Sequence, residues 1–102
     1  MKQSHVIWTD ESFSDLEVIF DFLAEKSLSA ANKMVAKILS RTRQLEQFPE
    51  SGSRLSLPQI DENKYRFLVE GNYKIVYSNY PGKVIINTII DSRRNPELFK
   101  FQ

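Results

Sequence analysis

The sequence predicts an α+β domain, in which an N-terminal strand and an antiparallel helical hairpin precede a three-stranded antiparallel meander. Apolar residues recur every three or four positions between residues 13 and 48, as amphipathic helices require. Three later runs, residues 65–70, 73–80 and 84–91, are rich in Tyr, Val and Ile. The turns between these runs leave no room for crossover helices. We therefore expect one sheet packed on two helices, and a single domain over residues 1–102.

The first strand and first helix follow from local signals. Residues 5–8 form a short apolar run with two β-branched residues, which predicts a strand. Thr9, Asp10 and Ser12 are N-cap candidates for a helix that continues to about Lys26. The apolar positions at helical spacing on this helix are Phe13, Leu16, Ile19, Phe20 and Leu23. Val18 and Phe22 broaden this apolar surface beyond one stripe, so we expect the helix to contact neighbours on two sides.

The second helix is predicted from the serines at 27 and 29, either of which can cap it, to Phe48. Pro49 ends it, because proline lacks an amide proton and restricts the residue before it. Only a few residues join the two helices, which favours an antiparallel hairpin. Residues 49–64 show no periodicity and are predicted to form a loop, of a length that is usually functional or held by other parts of the fold.

The meander has two turn signals, Gly71-Asn72 and Pro81-Gly82. Alternation along each strand separates its side chains into two faces. We expect the face rich in tyrosine and phenylalanine to pack on the helices. The opposite, open face is then expected to carry Arg66, Leu68, Lys74 and Val76.

Composition excludes several classes of protein. A formal net charge of +1 argues against the strong overall basicity of a typical nucleic-acid binder. There is no cysteine and only one histidine, and there is no phosphate-binding or dinucleotide-binding motif, so we expect neither a metal nor a cofactor. No apolar run approaches the roughly 18 residues that cross a bilayer. We expect a cytoplasmic protein.

Basic residues concentrate in two places. Arg93 and Arg94 follow the last predicted strand and, with Arg66 and Lys74 beside them, would form a groove of four cations for phosphate or carboxylate groups. The alternative is a polar strand end whose arginines pair with Asp91 or Glu97. The other place is the second helix, where a basic residue recurs every fourth position. Such a stripe indicates either a solvated face or a docking surface for an acidic partner. This stripe consists of Lys33, Lys37 and Arg41.

The chain contains the segments Phe48-Pro49-Glu50-Ser51-Gly52, Tyr65-Arg66-Phe67-Leu68-Val69, Gly71-Asn72-Tyr73-Lys74-Ile75-Val76-Tyr77 and Ile90-Asp91-Ser92-Arg93-Arg94-Asn95-Pro96. Together these segments resemble the RelE/ParE superfamily of toxins from type II toxin–antitoxin systems, and the last of them resembles its ParE branch. The resemblance implies a small toxin that inhibits growth and is neutralised by a cognate antitoxin in a hetero-oligomer. It implies one of two toxic targets, because ParE-like members act on DNA gyrase and RelE-like members act on ribosome-bound mRNA.

The residues favour binding over cleavage. As a nuclease, the protein would use Arg66, Lys74 and Arg94 as its catalytic cations, but Leu68 stands where RelE-like enzymes carry a further lysine. No tyrosine or histidine follows Pro96. The sequence therefore favours a gyrase-binding toxin that is not an enzyme, with an mRNA endonuclease and a detoxified antitoxin-binding module as alternatives. The predicted target- or antitoxin-binding residues are Arg66, Leu68, Lys74, Val76, Arg93 and Arg94.

Overall fold

The computed structural model describes residues 3–55 and 64–93, which form two helices and one five-stranded sheet. The helices are α1 (Asp10–Ala24) and α2 (Leu28–Gln44). The strands are β1 (His5–Trp8), β2 (Ser53–Arg54), β3 (Tyr65–Glu70), β4 (Tyr73–Tyr80) and β5 (Lys83–Asp91). Their spatial order is β1-β5-β4-β3-β2, so the predicted antiparallel meander is the centre of the sheet. The α+β class and the order of the elements are confirmed.

The edges of the sheet were not predicted in detail. β1 pairs with β5 in parallel, with Val6 opposite Val84, which makes the sheet mixed. β2 pairs antiparallel with β3 and lies within the segment predicted to be a loop. The polypeptide thus returns to the sheet immediately after the helical hairpin.

Side-chain caps determine where both helices begin. The Thr9 hydroxyl accepts a hydrogen bond from the Ser12 amide at 3.0 Å, and the Ser27 hydroxyl accepts one from the Ala30 amide at 3.1 Å. Each cap is worth about 1 kcal/mol. The predicted end of α2 at Phe48 is wrong, because the helix ends at Gln44 and tight turns follow.

The buried stripe of α1 consists of Ser12, Leu16 and Ile19, at helical spacing. Phe13 belongs to the apolar stripe read from the sequence but lies outside the core, since 56% of its surface is exposed. Ser12 is tolerated inside because its hydroxyl donates a hydrogen bond to the Thr9 carbonyl at 3.0 Å. The core that this stripe joins contains Leu16, Ile19, Ile38, Leu45, Leu68, Tyr73, Ile75, Tyr77, Val84, Ile86 and Ile89.

The register between β3 and β4 corrects the predicted faces of the sheet. Leu68 lies opposite Ile75 and Arg66 lies opposite Tyr77, and directly opposed residues of antiparallel strands share a face. Arg66 and Leu68 are therefore on the helix-facing side. The opposite side, called the outer face below, carries Lys74 and Val76, so the expected single open face is wrong.

Part of the predicted loop is held by Tyr77, whose side chain is fully buried. Its hydroxyl donates to the Pro49 carbonyl at 2.8 Å and accepts from the Gly52 amide at 2.9 Å. There is no room for a side chain at Gly52, because a Cβ there would lie 2.6 Å from that hydroxyl oxygen and 2.7 Å from the Phe67 carbonyl oxygen. These contacts fix the chain on the sheet just before β2.

Candidate functional site

Arg66 and Lys74, two of the four predicted cations, do not lie in one groove. The Arg66 guanidinium lies on the helix-facing side, where its Nη1 donates to the Gly52 carbonyl at 2.8 Å and the Glu50 carbonyl at 3.1 Å. Lys74 lies on the outer face, between its register partners Val69 and Ile90. The sheet separates these two cations. The hydrogen bonds of Arg66 stabilise the segment before β2.

The two predicted apolar binding residues are separated in the same way. Leu68 is 4% exposed and belongs to the core under the helices. Val76 is on the outer face but is 5% exposed, between its register partners Phe67 and Thr88. Leu68 therefore offers a partner no surface, and Val76 offers very little.

The predicted arginine pair is described only in part, because Arg94 lies outside the described residues, as does Glu97. Arg93 makes a two-pronged contact with Asp91, with Nη2–Oδ2 at 3.1 Å and Nε–Oδ1 at 3.2 Å. Its hydrogen bond to the carboxylate raises the pKa of Arg93 above its usual value. Pairing with Asp91, which was the alternative to a phosphate site, is what the structure shows for Arg93.

The outer face presents lysines and aromatic rings together. Its basic and aromatic members are Lys64, Tyr65, Phe67, Lys74, Tyr80 and Lys83. The Lys74 ammonium lies 4.9 Å from the centre of the Phe67 ring, and that of Lys83 lies 5.5 Å from the centre of Tyr80. Such cation–π contacts hold the ammonium groups in place over the sheet.

No acidic residue occupies an outer-face position of β3, β4 or β5. The acidic residues of these strands, Glu70 and Asp91, both lie opposite Tyr73 on the other side. Lys64 precedes β3, but its ammonium lies 5.6 Å from the centre of the Tyr80 ring on the outer face. Lys64 and Lys83 are not among the site residues predicted from the sequence. The two-residue turn Pro81-Gly82 is a signal that could have found Lys83, since it places that lysine opposite Tyr80.

The two helices carry opposite charges. α1 has five acidic residues and no lysine or arginine, whereas α2 has four basic residues and no aspartate or glutamate. On α2, Lys33 and Lys37 are exposed, while Arg41 donates to the Val69 carbonyl at 3.3 Å and lies 3.8 Å from a Glu70 carboxylate oxygen. A near-neutral chain thus has an acidic side on α1 and basic surfaces on α2 and the outer face.

Within residues 3–55 and 64–93, no group of three or more acidic or histidine side chains could hold a metal ion. In the same residues, no helix is long and apolar enough to cross a membrane.

Comparison with known proteins identifies the family. The family described as "ParE toxin of type II toxin-antitoxin system, parDE" matches residues 6–96. A solved structure described as "Chromosomal ParDE TA system from P. aeruginosa" superimposes with a TM-score of 0.71 over 87% of this chain and 96% of that chain. The two chains are 19% identical, so this likeness shows a shared fold. No curated protein sequence matches.

The fold and the family match define the class of protein, a toxin of a type II toxin–antitoxin system. The chain belongs to the ParE toxin family. Its predicted resemblance to the RelE/ParE superfamily, on the ParE-like side, is confirmed.

Proposed function

We propose that this ParE-family toxin acts in the cytoplasm by binding DNA gyrase, without catalysing a reaction, and that a cognate antitoxin neutralises it in a hetero-oligomer. The observation that carries the proposal is the separation of Arg66 from Lys74 by the sheet. A nuclease that used both cations would need them around one phosphate. Here Arg66 already donates to two backbone carbonyls on the opposite side.

The lysines of the outer face supply no proton acceptor for RNA cleavage. Attack by a 2′-hydroxyl needs a base, a donor for the leaving oxygen and stabilisation of the charged intermediate, and each acid–base contribution is worth about 10²–10⁴-fold in rate. A lysine ammonium stabilises charge but accepts no proton. The lysines and aromatic rings of this surface are suited to binding.

The outer face is the surface that we assign to the toxic target. Aromatic side chains are enriched at the energetic centres of protein interfaces, and a basic rim increases the association rate with an acidic partner. Tyr65, Phe67 and Tyr80 are each partly exposed, and three lysines surround them. An acidic surface of gyrase is the partner that fits.

The test is a supercoiling assay with purified gyrase and purified toxin. We expect wild-type toxin to inhibit supercoiling, and the variant Lys74→Glu to inhibit it at least tenfold less strongly. Lys33→Glu makes the same change of charge on the exposed side of α2 and should inhibit like the wild type. Mapping of mRNA 5′ ends during growth arrest completes the test.

Unchanged supercoiling together with new 5′ ends inside codons would reject the proposal and establish an mRNA endonuclease. Expression without growth arrest, but with tight binding of the antitoxin, would identify a detoxified binding module.

A further inference from the structure

A groove of about 470 Å³ lies on the hairpin formed by α1 and α2. Each residue that lines it belongs to one of these two helices, so the groove is on the side of the hairpin that faces away from the sheet. Phe13, Phe20 and Val35 line it, and Phe13 is 56% exposed. Contiguous apolar surface of this kind marks an interaction site.

The charges around the groove are separated by helix. On α1, Glu17 and Asp21 are one turn apart and line the groove. On α2, the exposed Lys33 and Lys37 are also one turn apart. Like charges at this spacing repel each other within a helix. Among the residues that the structure describes, no ion pair joins α1 to α2, so a helix of opposite charge from outside would relieve the repulsion in each.

A partner for this surface must meet an acidic helix and a basic helix that lie side by side. A second copy of the chain supplies both, because a two-fold axis that runs parallel to the helices places α1 of each copy on α2 of the other. Every pair of neighbouring helices is then antiparallel and opposite in charge, in the arrangement of a four-helix bundle. A two-fold axis across the helices would instead place α1 on α1, where like charges repel.

The level of each residue along the hairpin decides which charges meet. Glu17 and Val35 line the same groove, so they lie at about the same level. Rotation about an axis parallel to the helices keeps that level, so Glu17 meets α2 of the other copy near Val35. Lys33 and Lys37 flank Val35 in the sequence. Glu17 therefore meets a lysine of the other copy, and the symmetry forms this contact twice.

We infer that this surface of the α1–α2 hairpin binds a second copy of the chain, with α1 of each copy on α2 of the other. The apolar side chains of the groove are buried at the centre of the interface, and Glu17 pairs with Lys33 of the other copy. The helices cover one side of the sheet and the outer face is on the other. The dimer leaves both outer faces exposed, so it goes beyond the proposed function and does not depend on it.

The first experiment measures the mass of the purified toxin by sedimentation equilibrium. We expect the wild type to be a dimer at about 100 µM, since specific protein interfaces reach micromolar affinity or better. Phe13→Asp should weaken the dimer by about 10–100-fold, because it places a charge in the apolar contact. Phe48→Asp is the matched control, since Phe48 is 59% exposed, follows the end of α2 and does not line the groove. A monomeric wild type, or normal dimerisation of Phe13→Asp, overturns the inference.

The second experiment exchanges the charges. Glu17→Lys and Lys33→Glu should each weaken the dimer severalfold, and more at low salt. The double variant Glu17→Lys/Lys33→Glu restores opposite charges across the interface and should recover most of the lost affinity. A double variant that is weaker than either single variant contradicts this arrangement of the helices.

Introduced cysteines report the arrangement directly, because the chain has no cysteine of its own. When Glu17→Cys and Lys33→Cys proteins are mixed, a short bifunctional maleimide should join one variant to the other. Efficient joining of Glu17→Cys to itself would show α1 packed on α1, and this result overturns the inference.

The two proposals fail in different ways. If the wild type is a dimer but does not inhibit gyrase, only the proposed function fails. If it inhibits gyrase but remains a monomer, only the dimer fails. Thermal unfolding of each variant shows whether a lost dimer reflects a lost fold.

Discussion

The two sides of the sheet differ in the groups that their polar side chains contact. On the helix-facing side, Tyr77 and Arg66 direct their polar atoms to backbone groups of the segment before β2. On the outer face, Lys74 and Lys83 lie over aromatic rings and remain at the surface. Polar groups on the first side stabilise the fold, whereas we propose that those on the second meet another molecule. The same strands supply both.

The sharpest test of this difference compares neighbours on β3. Leu68→Ala should lower the free energy of unfolding by about 2–5 kcal/mol, because it leaves a cavity in the core. Phe67→Ala removes a larger side chain from the outer face, where it is only partly buried. We expect the smaller loss from Phe67→Ala in urea unfolding. Equal losses would show that the outer face is also part of the core.

The second test concerns the close approach at Gly52. Gly52→Ala should cost about 1–3 kcal/mol, because its Cβ would overlap with the Tyr77 hydroxyl and a backbone carbonyl. Gly82→Ala is the control, since a Cβ there meets nothing within 4 Å, although its φ of +74° makes the substitution mildly strained. Thermal unfolding of the two variants would contradict this account if Gly82→Ala were the more damaging.

The third test uses pH. Burial raises the pKa of Tyr77 above its ordinary value of 10.0, and the hydrogen bond from Gly52 opposes this only in part. Since the folded state holds the phenolic proton more tightly, stability is complete below pH 10 and falls as the pH rises through the pKa of the folded state. Tyr77→Phe should lose about 1–3 kcal/mol at neutral pH, because the Gly52 amide loses its partner. Above pH 10 the difference in unfolding temperature between wild type and variant should shrink, and a constant difference would argue against a titrating Tyr77.

The smallest effect on stability is expected at the lysines of the outer face. Lys74→Ala and Lys83→Ala should each change the free energy of unfolding by less than about 1 kcal/mol, because an exposed cation–π contact contributes about 0.5–1 kcal/mol. The same variants should inhibit gyrase less strongly. A large loss of stability would place these lysines among the residues that maintain the fold.

Local signals in the sequence account for much of this fold. Thr9 and Ser27 cap the helices as predicted, because capping depends on residues only three positions away. The strands of the meander follow from β-branched and aromatic residues between two turns. These are short-range effects, and a single sequence contains the information for them.

The errors concern relations between elements. Phe13 is exposed because α1 packs on the sheet through Ser12, Leu16 and Ile19. The spacing of apolar residues in α1 does not by itself determine which side of the helix faces the sheet. The pairing of β2 depends on contacts of Gly52 with Tyr77, 25 positions away. By contrast, the side of the sheet on which Arg66 lies could have been predicted from the sequence. A two-residue turn at Gly71-Asn72 sets Glu70 opposite Tyr73, which puts Arg66 with Tyr77 and apart from Lys74.

The candidate site was predictable only in part for the same reason. Lys74 was selected for its charge and does lie on the outer face. Lys64 was not predicted because it precedes β3, where strand alternation assigns no face. Its side chain reaches the outer face because its ammonium lies over the rings of Tyr65 and Tyr80.

The central claim is that the lysines of the outer face are needed to meet the toxic target and are not needed to bind the antitoxin. The most direct measurement is growth arrest by the double variant Lys74→Glu/Lys83→Glu, with antitoxin affinity measured on the same protein. Lys33→Glu/Lys37→Glu, with the same change of charge on α2, is the control. We predict that the outer-face variant no longer arrests growth but binds the antitoxin as tightly as the wild type, and that the α2 variant remains toxic. Full toxicity of the outer-face variant would contradict the account.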